Sequence, residues 1–330
     1  MIMEIERNDI MVSISCITYN HAPYIRQCID GFLSQKTSFK FEVLIHDDAS
    51  NDGTSEIIKE YEEKYPDIIK PYIQNENQYS LGKGWVGIKI NRERAKGKYI
   101  AYCEGDDYWS YDGKLQLQVD FLESNQDVSM CYTDFDMLFE KTGRIQKSVF
   151  HTRNSSYPSV YQTASEFVVR KGFVNPPSWV YRKDALDNLK TDLIIDGTYV
   201  WFVHLLSTGS VAYIDKVTTT YRFLQDSASH SRDKKNILKR FRDLLDLQIN
   251  VIDAYNFPAY LKDICKQKYY RDNLLYFIIY DSLDELEEAQ RNIKEKKGRE
   301  KILFFLGKTY IGRRLLMCLY FMNSKLKRYK

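Results

Sequence analysis

The sequence predicts an α/β protein: a mostly parallel sheet flanked by helices, with a helical extension at the carboxyl end. Three observations carry the prediction. Short apolar or β-branched segments alternate with stretches of helical spacing through the first hundred residues. Polar clusters follow three of those segments, where strands of a parallel sheet turn into helices. From residue 233 onward, helical spacing stands alone.

The first strand is expected at Met11–Thr18. Pro23–Gln35 then places Tyr24, Ile25, Cys28, Ile29, Phe32 and Leu33 on one helical face. A second strand, Phe41–His46, precedes a helix over Thr54–Lys64 that repeats the pattern with Ile57, Ile58 and Tyr61. The third strand is Ile68–Gln74. Gly82, Gly84 and Gly87 beyond it spell GxGxxG, but this lies several residues past its strand and outside the first unit, so it reads as a flexible loop before the helix Val86–Ala95. Lys98–Cys103 is the fourth strand. Helices are expected over Asn236–Ile252, Pro258–Tyr280, Leu283–Lys294 and Lys301–Arg328.

The 330 residues are 44% hydrophobic and 28% charged, which excludes disorder, collagen and a small disulfide scaffold. Cys16, Cys28, Cys103, Cys131, Cys265 and Cys318 form no CxxC and read as reduced thiols. Met1–Ile10 has no apolar core of a leader, and no apolar run approaches the roughly 20 residues that span a bilayer. The chain therefore reads as cytoplasmic. Its charge is uneven: residues 291–330 carry thirteen Lys and Arg against Glu295 and Glu300, a net +11, which leaves −8 elsewhere for a whole-chain +3. Such a chain is a poor nucleic-acid binder. The amphipathic basic end suits peripheral attachment to an anionic inner leaflet, or packs on its own domain as a basic tail.

Ligands of parallel sheets bind beyond the carboxyl ends of the strands, which directs attention to three segments. Thr18, Tyr19, Asn20 and His21 follow the first strand. Asp47-Asp48-Ala49-Ser50-Asn51-Asp52-Gly53-Thr54 follows the second. Its bland reading is a turn and helix start, and its functional one is that Asp47 or Asp48 accepts from a base N–H or a ribose hydroxyl. Glu104, Asp106 and Asp107 follow the fourth strand, three carboxylates whose repulsion calls for a hard cation such as Mg²⁺ or Mn²⁺. The bland alternative is an acidic capping loop. Tyr108 and Trp109 beside them suit a sugar ring or base face, and equally suit core anchors.

These segments, with Ala95-x-Gly97-Lys98-Tyr99-Ile100, Lys114-Leu115-x-x-Gln118 and Tyr221-Arg222, resemble the family 2 glycosyltransferases with a GT-A fold over roughly residues 11–232. The resemblance implies a GT-A domain at 1–232, a helical region at 233–330, and inverting transfer of a sugar from a nucleoside-diphosphate donor, expected to be a UDP-sugar. A glycan or lipid-linked hydroxyl would be the acceptor. It implies nucleotide contacts from Thr18, Tyr19, Asn20, Asp47, Asp48 and Asp106, and metal ligation by Glu104, Asp106 and Asp107. Asp196 is the implied catalytic base, with Asp192 as fallback, though Asp196 also suits the N-cap of a helix over Thr198–Leu206. Trp109, Ser178 and Trp179 fall on the acceptor side. Arg222, Ser227, Ser229 and His230 fall in a closing loop over the diphosphate, where His230 could equally be a surface histidine. The rival readings are a nucleotide-binding regulatory module without transferase activity and a metal-dependent nucleotidyl or phosphoryl transferase; the latter lacks its GxxxxGK[ST] loop.

Overall fold

Runs of Ile, Val, Tyr and Cys between polar turns extend as strands, and the amphipathic stretches between them coil against the sheet. The computed structural model describes residues 9–152, 163–170, 174–189, 197–224 and 233–326. The chain runs β1 (Ile10–Thr18), α1 (Ile25–Leu33), β2 (Lys40–Asp47), α2 (Thr54–Lys64), β3 (Ile69–Ile73), α3 (Val86–Arg94), β4 (Tyr99–Glu104) and β5 (Tyr108–Trp109). It continues through α4 (Lys114–Ser124), β6 (Val128–Phe139), β7 (Arg144–Gln146), α5 (Val149–Thr152), α6 (Ala164–Arg170), β8 (Val180–Arg182), α7 (Gly197–Thr208) and β9 (Ser210–Phe223). Five helices follow: α8 (Lys234–Ala254), α9 (Tyr260–Ile279), α10 (Leu283–Asn292), α11 (Gly298–Gly307) and α12 (Tyr310–Leu326).

Among the described residues the strands form one sheet in the order β3-β2-β1-β4-β8-β6-β9-β5, with β7 on β6. The first four are parallel, as expected. Beyond β4 the sheet is mixed, because β8 runs antiparallel to both β4 and β6 while β6 and β9 run parallel. On one face Val12, Ile14, Cys16, Val43, Ile45, Ala101 and Cys103 join Ile25, Ile29 and Phe32 of α1 and Leu115, Val119 and Leu122 of α4 in one core. On the other, Asn91 of α3 donates to Ser15 Oγ and to the carbonyls of Cys16 and Leu44. Burial on both faces explains why these strands read as apolar runs rather than alternating ones.

Gly87 lies inside α3, as the helix expected from Val86 requires, and a Cβ there would come within 2.5 Å of His46 Nδ1, so glycine permits α3 to approach β2. One departure concerns the carboxyl-terminal helices. The single helix expected over Lys301–Arg328 is two. Gly307 packs against Ile278 and Leu286, and Thr309 Oγ1 accepts the Gly312 N–H at 3.0 Å, which restarts the helix.

The chain divides into two compact units, residues 1–225 and 226–330. In the second, α9 buries Tyr269, Leu274, Phe277 and Ile278 among its neighbours. Arg242 there pairs with Glu285 at 2.7 Å and Glu288 at 3.2 Å. Among the described residues no helix is long and apolar enough to cross a membrane.

Candidate functional site

The sheet register brings the three polar segments to one edge. Thr18 lies opposite Asp47 and Ile17 opposite Glu104, so β2, β1 and β4 end side by side. Strand order turns about β1 here, and that crevice is where ligands settle in open α/β sheets.

The segment after β2 clasps the one after β1. The N–H groups of Asn20, His21 and Ala22 donate to Ser50 Oγ (2.8 Å), Thr54 Oγ1 (2.9 Å) and Asp52 Oδ2 (3.0 Å). Asn20 returns the favour by accepting the Asn51 N–H at 2.9 Å, from a left-handed backbone with φ 54°. Burial pushes the Asp52 carboxyl up, but hydrogen bonds from Thr54 and Ala22 outweigh it and hold Asp52 below the usual range.

Asp47 and Asp48 are both buried and both engaged. The Asp47 carboxylate accepts from the Ser50 and Ser55 hydroxyls. That of Asp48 accepts the N–H groups of Gln78 (2.8 Å) and Tyr79 (2.9 Å), tying down the chain after β3. Tyr19 is exposed beside them.

The turn after β4 closes on Thr18 because residue 105 is glycine. Its N–H donates to the Ile17 carbonyl at 2.9 Å, and a Cβ would lie 2.5 Å from Thr18 Oγ1 and 3.1 Å from His21 Nδ1. Those two polar atoms are buried and have no hydrogen-bond partner. Asp106 Oδ2 stands 3.9 Å from His21 Nε2, and its side chain stays one-fifth (20%) exposed.

The three carboxylates do not converge as expected. Asp107 is 2% exposed and accepts the Arg222 N–H at 2.6 Å. Burial, with the neighbouring charges of Asp106 and Glu104, pushes its carboxyl well above the usual range. Among the described residues no three His, Cys, Asp or Glu side chains form a preformed metal cage. A cation at this edge would therefore rest on Glu104 and Asp106, with Asp107 serving the fold.

Arg222 also departs from its expected part in a diphosphate loop. Its guanidinium donates to the Asp106 carbonyl (2.8 Å), Gln27 Oε1 (2.6 Å) and Glu140, and lies 4.6 Å from the Tyr24 ring centroid and 5.5 Å from that of Tyr108. It braces the 104–107 turn from behind. Trp109, read as a possible sugar platform, is a core anchor: Nε1 donates to the Pro177 carbonyl at 3.1 Å and the ring meets Phe32 edge-on. Ser178 and Trp179 are buried too, Ser178 Oγ donating to the Asn175 carbonyl and Trp179 packing on Phe202. Lys114 and Gln118 form an internal clasp, with Lys114 Nζ donating to Gln118 Oε1 and Gln118 Nε2 donating to the carbonyls of Cys131 and Ser178. Asp192, Asp196, Ser227, Ser229 and His230 lie outside the described residues.

Sequence reading passed over His21, Gly105, Tyr24, Gln27 and Glu140 as site residues. The adjacency of His21 to the Thr18-Tyr19-Asn20 run was the available signal; the others become visible only when the chain closes on itself.

Residues 13–190, more than half of the chain, match the family model described as Glycosyl transferase family 2. The chain belongs to glycosyl transferase family 2. Its family segment spans β1 to β8 and contains all three polar strand ends. An uncharacterized protein of Mycobacterium tuberculosis is 30% identical over 222 residues, 64% of this chain and 58% of that protein. This glycosyltransferase family member thus matches less than two thirds of that relative's length. Among solved structures, Staphylococcus aureus TarS 1–349 in complex with UDP-GlcNAc aligns with TM-score 0.59 at 16% identity, over 95% of this chain and 92% of TarS. The mannosyltransferase PcManGT of Pyrobaculum calidifontis, in complex with GDP-Man and Mn²⁺, aligns with TM-score 0.56 at 16% identity, over 96% and 86% of the two chains. At this identity the likeness is one of fold, the GT-A fold of an α/β protein with carboxyl-terminal helices.

Proposed function

We propose that this protein is an inverting glycosyltransferase that moves a sugar from a nucleoside-diphosphate donor, UDP-linked, to a hydroxyl of a glycan or lipid-linked acceptor. The observation that carries the reading is the meeting of Thr18–His21, Asp47–Thr54 and Glu104–Asp106 at one edge of a parallel sheet in a family 2 chain. Nucleotide-sugar complexes of two proteins of the same fold support the donor class.

The residues also fit a divalent cation. Hard carboxylate oxygens of Glu104 and Asp106 are the donors Mg²⁺ or Mn²⁺ prefers, beside the unpartnered Thr18 Oγ1 and His21 Nδ1. Such an ion, when bound, supplies Lewis-acid neutralisation of charge on the diphosphate. The chain does the rest. Its clasp of Ser50, Asp52 and Thr54 holds the nucleotide edge rigid, and Arg222 fixes the Asp106 carbonyl. In a single displacement the acceptor oxygen bonds to the anomeric carbon as the carbon–phosphate-oxygen bond breaks. The electron pair leaves with the diphosphate, and Asp196 takes the hydroxyl proton.

The test is thermal shift with a panel of nucleoside diphosphates and nucleotide sugars plus Mn²⁺, followed by assay of released nucleoside diphosphate. Ligand at one hundred times its Kd should stabilise the protein by about 2.7 kcal/mol. Asp106→Asn should weaken Mn²⁺-dependent nucleotide binding by about tenfold or more at unchanged melting temperature, since its side chain is partly exposed and its contact with His21 Nε2 is long, at 3.9 Å. Binding that survives both the substitution and excess EDTA would remove the cation from the reading. A stabilising nucleotide without sugar release, under any acceptor, would leave a binding module.

A further inference from the structure

The outer face of α12 is apolar. On α12 the positions turned inward are identified by their contacts: Gly312 abuts the Leu306 backbone, Arg313 pairs with Asp281 at 2.5 Å, and the Tyr320 ring meets that of Tyr276. The opposite positions, spaced by three and four, are Tyr310, Ile311, Arg314, Leu315, Cys318 and Leu319, and all are exposed. A helix on a protein surface ordinarily turns polar residues outward. This one turns out Ile311 at 80% and, from the adjoining α11, Phe305 at 75% exposure.

Exposed cations flank these apolar residues in the sequence. Lys301 and Lys308 are exposed on and just after α11, and Arg314 lies within the apolar row itself. Lys294 and Lys297 are exposed on the approach to α11, and Arg299 in its first turn. Of the acids of this unit, Asp284, Glu285, Glu287 and Glu288 lie on α10, while residues 301–330 carry none. Over residues 291–330 the net charge is +11.

We propose that the outward faces of α11 and α12 seat this protein on an anionic lipid surface, lying in the interface without crossing it. Apolar side chains at the centre enter the acyl boundary, while lysines and arginines at headgroup level meet lipid phosphates. Both components are needed, because neither a handful of apolar side chains nor a few charges alone holds a protein at a bilayer. At about 1.5 Å per residue the exposed row from Tyr310 to Leu319 on α12 lays a contact roughly 15 Å long. Charge is what selects a bilayer over a second copy of the chain, since two such faces would bring like charges together. The inference is independent of the proposed transferase reaction, and its test involves no turnover.

The experiment is flotation of the full chain with vesicles of phosphatidylglycerol mixed with phosphatidylcholine, and with vesicles of phosphatidylcholine alone. The protein should float with the first, and bind the second about tenfold more weakly or worse. Raising salt should release it. The double variant Phe305→Glu, Ile311→Glu should lose about tenfold or more in affinity for the anionic vesicles. Its far-UV dichroism and melting temperature should stay unchanged, because both side chains are exposed. Absence of flotation overturns the proposal, as does equal flotation of variant and parent. A parent that sediments as a dimer and a variant that sediments as a monomer would assign the face to a second copy and likewise overturn it.

Discussion

At the scale of single residues, several polar side chains that look functional are spent on the fold. Lys114 is the clearest. It is fully buried, hydrogen-bonded to Gln118 Oε1, with its ammonium 4.5 Å from the centroid of Trp109. Burial pushes its amine down to about 7. In the unfolded chain a lysine titrates near about 10.4, so between these values the unfolded state binds a proton that the folded state does not. Stability therefore rises with pH across that window, by up to about 1.4 kcal/mol per pH unit, and the contribution is lost as pH falls through about 7. Urea unfolding at pH 7 and pH 9 should display the slope in the parent and much less of it in Lys114→Met. Equal slopes in the two proteins would mean that Lys114 stays protonated over the Trp109 ring.

At the scale of elements, close approach decides what the strand ends can do. Gly105 joins β4 to the acidic turn, and Gly97 enters β4 against the backbone of Val12 and Ser13, where a Cβ would come within 2.5 Å of the Ser13 nitrogen. Both glycines are set by what crosses in front of them. A methyl at Gly105 must displace Thr18 and His21, which moves Asp106 relative to the end of β1. Gly105→Ala should therefore weaken Mn²⁺-dependent nucleotide binding by about tenfold, read by calorimetry, while costing only about 1–2 kcal/mol of stability. Unaltered affinity would mean that the turn and the Thr18 segment bind nothing in common. The expected three-carboxylate cluster failed at this same scale. A turn that puts Asp106 at the surface carries Asp107 into the core, where the Arg222 N–H of β9 receives it.

At the scale of the molecule, each unit closes its own core, the first around the sheet and the second around α9. No hydrogen bond or ion pair described above needs a cation to complete it. EDTA alone should accordingly leave the melting temperature of the protein unchanged, whereas adding EDTA to the Mn²⁺–nucleotide complex should return it to that baseline. A lower melting temperature in EDTA without nucleotide would reveal a cation that belongs to the fold.

The sequence by itself determined the local order and the chemistry on offer. Spacing of apolar residues marked β1 to β4, α1, α2 and the helices α8 to α10 to within a few residues, because each buries one continuous stripe or run, and it missed only the break between α11 and α12 among the helices from residue 234 onward. The polar segments after β1, β2 and β4 were equally legible, since turn-forming and acidic residues stand out between apolar ones. Which of those side chains remain available was decided only by tertiary structure. Asp47 and Asp48 are identical in type to Asp106, yet both are buried and held in place by Ser50, Ser55, Gln78 and Tyr79, partners that arrive from turns and helices packed against them, whereas Asp106 stays partly exposed. Trp109 could have faced a ligand or the core, and Gly31 of α1 passing against its backbone settled it. Arg222 meets Asp106 across more than a hundred residues of intervening chain. A residue's neighbours in sequence report its propensity; its hydrogen-bond partners are set by long-range closure of the chain.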